Sequence, residues 1–461
     1  MTTIARKFAE YSLRIAYEDL PANVVHQVKR VLLDTLGCAI GGYNSQASTI
    51  LRSLILELKG AAESTVIGDG LKTTCLYATL ANGAMVRYLD FNDTYFASGP
   101  VLSGAHPSEI IPPVLAVGER QHSTGKEVIA AIVAGYELLA RFADALTVRE
   151  TLEHRGWNMD LKGGFVLPPV VGKLLNLDAG QMENASGIAG SHAILLGILD
   201  APKEEYTMAK NLRFPLTAHD GILAALLSQK GFTGPVRAIE GQWGFVDSVL
   251  HGEFDFEKAT DFEGFRIMET IVKSFTSDMT IQGHLTATLH LVKEHDIKPE
   301  DVARIRVWAN ARDVEHTGQP AKRYPRNKET ADHSSYYLTA IAIMDRRVGP
   351  DQFSTQKYED PRVIELIDKM IFEADPELDQ FSAAGISEIT TRQGNVYKHR
   401  VDYPRGDPHN PMTDDELEDK FRSMAGKYMA ESQMQAIIEA IYNLEKLDNI
   451  GELLDKLVFQ R

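Results

Sequence analysis

Side chains able to move protons or hold carboxylates gather in five short segments of the chain. The first runs Tyr88-Leu89-Asp90-Phe91-Asn92-Asp93-Thr94, with His106-Pro107 shortly after it. If a helix continues through this stretch, Asp90 and Thr94 stand at i and i+4 and share a face, while Asp93 points elsewhere. His106 precedes a proline, which favours extended backbone there. An aspartate, a threonine and a histidine converging near a helix end can do acid–base work. A loop with a cap and a surface histidine uses the same residue types, and spacing alone leans toward that plainer reading.

The second segment places Lys210 and Arg213 before His219-Asp220. Three potential cations lie ahead of or at a helix start, whose N-terminus adds partial positive charge. That suits a carboxylate, and an ordinary exposed loop fits equally well. The third, Lys273-Ser274-Phe275-Thr276-Ser277-Asp278 followed by Gln282-Gly283-His284, falls where the sequence changes character. Domain boundaries often hold ligands, and a polar hinge is the alternative. In the fourth, Ala331-Asp332-His333-Ser334-Ser335, Asp332 or Ser334 reads as a helix cap. The fifth, Tyr403-Pro404-Arg405-Gly406-Asp407-Pro408, reads as a rigid turn.

These segments must be held by larger elements. Up to about residue 268 the hydrophobic periodicity is helical. Pro21 opens one helix with Val24, Val28, Val31, Leu32 and Leu36 on a face, closed by Gly41-Gly42. Further helices are expected over Lys126 to Leu146, Gln181 to Leu199 and Asp220 to Lys230. Beyond that point ARIRVWAN (303–310) alternates like a half-buried strand. Glu388 to Tyr403 reads as a hairpin around Gln393-Gly394-Asn395. Helices are expected between them, at His333 to Arg346 and Pro361 to Phe372. Thr413-Asp414-Asp415-Glu416 is a capping box opening a further helix, and Gln433 to Leu447 reads as another. The fold class is therefore mainly α with a smaller α+β unit. The expected division is 1–268 helical, 269–404 α+β, and 405–461 returning to the first helical region.

Bulk properties narrow the function. The 461 residues carry a formal net charge of −16, which argues against nucleic acid and against an anionic membrane surface. A small anionic substrate remains compatible, because a pocket can be locally basic. Two cysteines, Cys38 and Cys75, cannot build a disulfide framework or ligate an iron–sulfur cluster of the usual kind. Met1 to Ser12 reads as an amphipathic helix rather than a signal peptide, and no long apolar run appears, so the cytoplasm is the default. There is no Walker A loop, dinucleotide fingerprint, HExxH, CxxC or Gly-x-Ser-x-Gly. The 14 histidines show no tight metal-ligand spacing. Acid–base chemistry with no metal and no cofactor is the simplest enzymatic expectation.

Taken in order, several stretches resemble the MmgE/PrpD family. They are VLLDTLGCAIGG (31–42), LDFNDTYF with GAHPSE (89–109), AKNLRFPLTAHDGILAALLSQKGFTGP (209–235), QWGFVDSVLHGE (242–253), TADHSSYYLTAIA (330–342) and YPRGDPHNPMTDDELEDKF (403–421). The resemblance implies a large all-helical domain from both chain ends, with an inserted α+β lid, a homodimer, and a site in the cleft between domains. It implies a small polycarboxylate substrate and a lyase reaction, most simply dehydration of a 2-methylcitrate-like hydroxy acid. Decarboxylation of a cis-aconitate type, epimerisation, and an inactive ligand-binding homologue are the alternatives. Asp90, His106 and Lys210 would be catalytic, and Thr94, Lys273, Arg213 and His284 would bind substrate. Two departures stand out. A family histidine is missing from Arg155-Gly156-Trp157-Asn158-Met159-Asp160, and the Tyr-Pro and histidine that often follow Lys273 are replaced by Phe275-Thr276-Ser277-Asp278. Either His154 or His284 substitutes, or the chemistry differs.

Overall fold

The computed structural model describes residues 2–97, 104–146, 152 and 155–460. His154 falls outside them. The chain is 59% helical with only small sheets.

Two apolar cores organise it. The larger joins residues from Phe8, Val28, Leu36, Met85, Ile132, Phe165 and Ala225 to Phe421, Ile437 and Leu453 near the C-terminus. The C-terminal helices thus pack back onto the first helices. The helix Ala22–Gly42 buries the expected stripe and runs so close to the helix Cys75–Tyr88 that a Cβ on Gly42 would meet the Met85 carbonyl oxygen at 2.3 Å. The smaller core includes Leu285, Ile305, Val307, Tyr337, Ile341, Leu366 and Ile389. It fills the space between the helices Gln282–Glu294 and Ser335–Asp345 and a four-stranded sheet. Across that sheet the order is Met370–Ala374, Val302–Ala309, Gly385–Thr391, Val396–Val401. The first pair is parallel and the other two are antiparallel, with Val307 opposite both Phe372 and Ser387. Among the described residues no helix is long and apolar enough to cross a membrane.

Several elements differ from the sequence expectation. The helix Ala179–His192 stops seven residues early, and a 3-10 turn, Gly197–Asp200, follows it. That early stop leaves Ile194, Leu196 and Ile198 exposed and frees Asp200 to turn inward. The helix expected from Asp220 begins at Arg213, because Pro215 is tolerated in a first turn. Phe372 lies in a strand, since the helix Pro361–Asp368 ends before it. The helix Cys75–Tyr88 ends before Asp90, so Asp90 and Thr94 do not share a helical face.

Candidate functional site

The site is built where the two cores meet. At its centre is Asp90, just past the end of the helix Cys75–Tyr88. Its φ of 48° is a left-handed conformation that aspartate tolerates better than most side chains. The turn aims the carboxylate inward, where it is almost wholly buried. Three cations meet it: Arg87 at 3.1 Å, Lys210 at 2.7 Å, and Lys273, whose ammonium also donates to the Asp90 backbone carbonyl at 3.1 Å. Burial alone would raise this carboxyl, but Arg87, Lys210, Lys273 and His333 overcome it and hold Asp90 well below its ordinary value. Lys273 is itself fixed from the C-terminal segment. Lys420 donates to the carbonyls of Lys273 and Phe91 at 2.9 Å each and pairs with the buried Asp34.

His106 lies beside this charge cluster. Its Nδ1 is 2.8 Å from the Asp93 carbonyl oxygen and 3.3 Å from Thr94 Oγ1. A carbonyl can only accept, so Nδ1 carries the proton and Nε2 keeps the lone pair. Burial, reinforced by Arg87 and Lys273, holds the imidazole well below its ordinary value. It is therefore a neutral base at physiological pH. Asp93, which positions it through its backbone, is clamped by the Ser108 amide at 2.9 Å and the Tyr136 hydroxyl at 2.8 Å.

A second cluster adjoins the first and centres on His333. Nδ1 of His333 lies 2.6 Å from Asp332, while Nε2 faces Asp278 at 3.4 Å, Asp90 at 3.5 Å and Asp200 at 4.0 Å. His316 reaches Asp278 at 3.8 Å. Asp332 is paired with Lys328 at 2.6 Å, and Arg213 ties Asp160, at 3.0 Å, to Asp200. Among the described residues, Asp200, His316 and His333 form one group, and Asp90, Asp332 and His333 another, whose ligand atoms lie within 4.8 Å of one another. These are the residues able to hold a metal ion.

The structure thus brings Asp90, Thr94, His106, Lys210, Lys273 and Arg213 to one region. Thr94 there contacts His106 and pairs its backbone with Ile271. Asp90 makes ion pairs with the cations, and His106 is oriented by the Asp93 carbonyl. His284 goes elsewhere. It is buried in the smaller core with its ring 5.5 Å from Phe372, neither ring nitrogen has a hydrogen-bond partner, and burial alone pushes it down to about 3. Its ring contacts the smaller core at Phe372 rather than the Asp90 cluster. His219 likewise leaves the cation corner, bonding Asp220 and stacking near Tyr77. His333, Asp278, His316 and Asp200 were not singled out from the sequence as site residues. Ser334 does cap its helix, accepting from the Tyr337 amide at 3.0 Å. That left Asp332 and His333 with no local task, which was the available signal.

A mainly helical two-core protein with a buried, cation-rich acid–base site at the junction defines the class. The MmgE/PrpD N-terminal domain model matches residues 6–257 and the C-terminal domain model residues 275–446. The chain belongs to the MmgE/PrpD family. It is 25% identical to human cis-aconitate decarboxylase over 476 residues, covering 98% of this chain and 94% of that protein. It is 24% identical to the cis-aconitate decarboxylase of Aspergillus terreus, covering 98% and 96%. It is 23% identical to the 2-methylcitrate dehydratase of Cupriavidus necator, covering 93% and 91%.

Proposed function

We propose that this chain is a lyase acting on a small tricarboxylic acid, and that its reaction is the elimination of water from a 2-methylcitrate-like hydroxy acid. The observation that carries this is the gathering of Arg87, Lys210 and Lys273 on the single carboxylate of Asp90, beside a neutral His106.

These cations suit a substrate carboxylate and stabilise the enolate-like charge that develops when a proton leaves a carbon next to it. Nε2 of His106 takes that proton. The electron pair of the broken C–H bond forms the double bond, the C–O bond breaks, and the leaving hydroxyl takes a proton from the Lys210 ammonium. Asp90, which accepts from that ammonium at 2.7 Å, sets the position of the donor. Decarboxylation is the second reading, supported by similarity to cis-aconitate decarboxylases over nearly the whole chain. There the same cations would stabilise the carbanion left by departing carbon dioxide.

Product analysis by NMR tests this. Purified protein is incubated separately with 2-methylcitrate, citrate and cis-aconitate. A new vinylic signal from a hydroxy acid supports dehydration. Release of carbon dioxide from cis-aconitate moves the protein to the second reading, and binding without turnover rejects both. His106→Gln should lower turnover by about 10²–10⁴-fold with an unchanged circular dichroism spectrum. Near-normal turnover in that variant removes His106 from the reaction.

A further inference from the structure

We propose that Asp200, His316 and His333, with Asp278 beside them, form a binding site for one divalent transition-metal ion in the cleft. Asp332 lies 2.6 Å from Nδ1 of His333, a distance at which a carboxylate accepts from an imidazole N–H. Nε2 of His333 faces the oxygens of Asp278, Asp90 and Asp200 at 3.4, 3.5 and 4.0 Å, so three carboxylates converge on one edge of the ring. Asp278 sharpens the point: among the described residues its ion-pair partners are the two imidazoles, with no lysine or arginine. Asp200 gives one oxygen to Arg213, and its other oxygen, Oδ1, is buried with no hydrogen-bond partner.

The spacing fits an ion. Two ligand atoms each about 2.1 Å from a metal stand about 3.4 Å apart at a tetrahedral angle and wider at more open angles. Ligand atoms of Asp200, His316 and His333 all lie within 4.8 Å of one another, and Asp278 stands 3.4 and 3.8 Å from the two imidazoles. Two imidazoles and two carboxylates suit zinc, manganese, iron or cobalt rather than magnesium or calcium. The hydrogen bond from His333 to Asp332, itself anchored by Lys328, is the outer-shell arrangement that fixes the tautomer of a metal-bound histidine. The ligands come from both sides of the junction: Asp200 follows a helix of the larger core, while His316 and His333 belong to the α+β part. The inference adds a ligand to the cleft of the proposed lyase but rests on these distances alone, and its test needs no turnover.

The full-length protein, stripped with a chelator and dialysed, is titrated with Mn²⁺ by calorimetry and electron paramagnetic resonance. One Mn²⁺ per chain at micromolar affinity or tighter is expected. His316→Ala and Asp200→Asn should each weaken binding by tenfold or more, and Asp332→Asn by about 10–100-fold as an outer-shell change. His409→Ala, at a surface turn, should leave it unchanged. Thermal melts of the metal-free variants establish that they fold. Where one does not, Co²⁺ loaded into the unmodified protein gives a d–d spectrum of nitrogen and oxygen ligation at an ordered site. No stoichiometric binding of Mn²⁺, Co²⁺ or Zn²⁺ at millimolar metal overturns the proposal, as does binding insensitive to His316→Ala and Asp200→Asn. Binding without turnover would reject the lyase and keep the metal site. Turnover without binding would do the reverse.

Discussion

Asp90 is the residue on which the site's charges depend. Replacing it by asparagine isolates that dependence, because asparagine also tolerates φ near 48°. Arg87, Lys210 and Lys273 would then lose a shared counter-charge while buried. Removing one partner of a buried ion pair costs about 3–5 kcal/mol. Urea unfolding of Asp90→Asn should show a loss of that size, and a loss under about 1 kcal/mol would mean that water already screens the cluster. Glu109 behaves oppositely. Both its carboxylate oxygens are buried without a hydrogen-bond partner, and burial followed by Asp160 pushes it up to about 8 against Arg87 and Arg213. The folded state holds a proton that the unfolded chain releases near 4.5. Its stabilising contribution is complete below that value and is lost as the pH rises toward 8. Glu109→Gln has no such proton to lose. Its stability relative to the parent protein should therefore rise between pH 5 and pH 8, on the order of 2–4 kcal/mol. A difference that stays flat across that range would show Glu109 already ionised.

At the scale of elements, the turn at Tyr403–Pro408 matters more than its plain reading as structure suggests. Gly406 has φ +97°, and a Cβ there would lie 1.8 Å from the Val272 carbonyl oxygen. The Val272 amide donates to the Gly406 carbonyl at 3.0 Å, so the turn clamps the residue next to Lys273. Gly406→Ala must both strain the backbone and push Val272 away. It should cost more than about 1 kcal/mol in stability, and it should raise the KM for a carboxylate substrate more than it lowers kcat. An unchanged KM would mean that Lys420 alone holds Lys273. Elements with strong local signals were legible in advance. The Thr413 capping box forms with Glu416, and the hairpin turns at Gln393 to Asn395 as its alternation and glycine suggested. The errors arise where local pattern is indifferent to tertiary partners. Nothing near Leu195 stops a helix, and Phe372 suits a strand only because Val302–Ala309 lies beside it. The site divides the same way. Asp90, His106, Lys210 and Lys273 sit in recognisable segments, as do Asp278 and His333, whereas Asp200 and His316 lie outside all of them and join the site only through the fold.

For the whole molecule, the site's position at a junction and the net charge of −16 answer each other. An acidic exterior around a cleft that holds Arg87, Lys210 and Lys273 confines any attraction for a polyanion to those cations. Among the described residues, the same exterior carries an apolar region around an open cavity. Ile194 is 72% exposed and Trp243 81% exposed, and both line a cavity shared with Trp157, Phe165 and Phe245. Trp243 holds φ at +58°, with its amide bonded to Asp247, a strained conformation that presents a large indole to solvent. Strain of that kind persists where the surroundings determine it, and an exposed tryptophan beside an exposed isoleucine is the composition of an interface centre. We propose a second copy of this chain as its occupant. Sedimentation should give twice the 51.1 kDa chain mass. The double variant Ile194→Glu with Trp243→Glu should sediment as a monomer with its helical content intact, because both side chains already face solvent and their loss empties no core. A dimer that survives both charges would have to be held by another face.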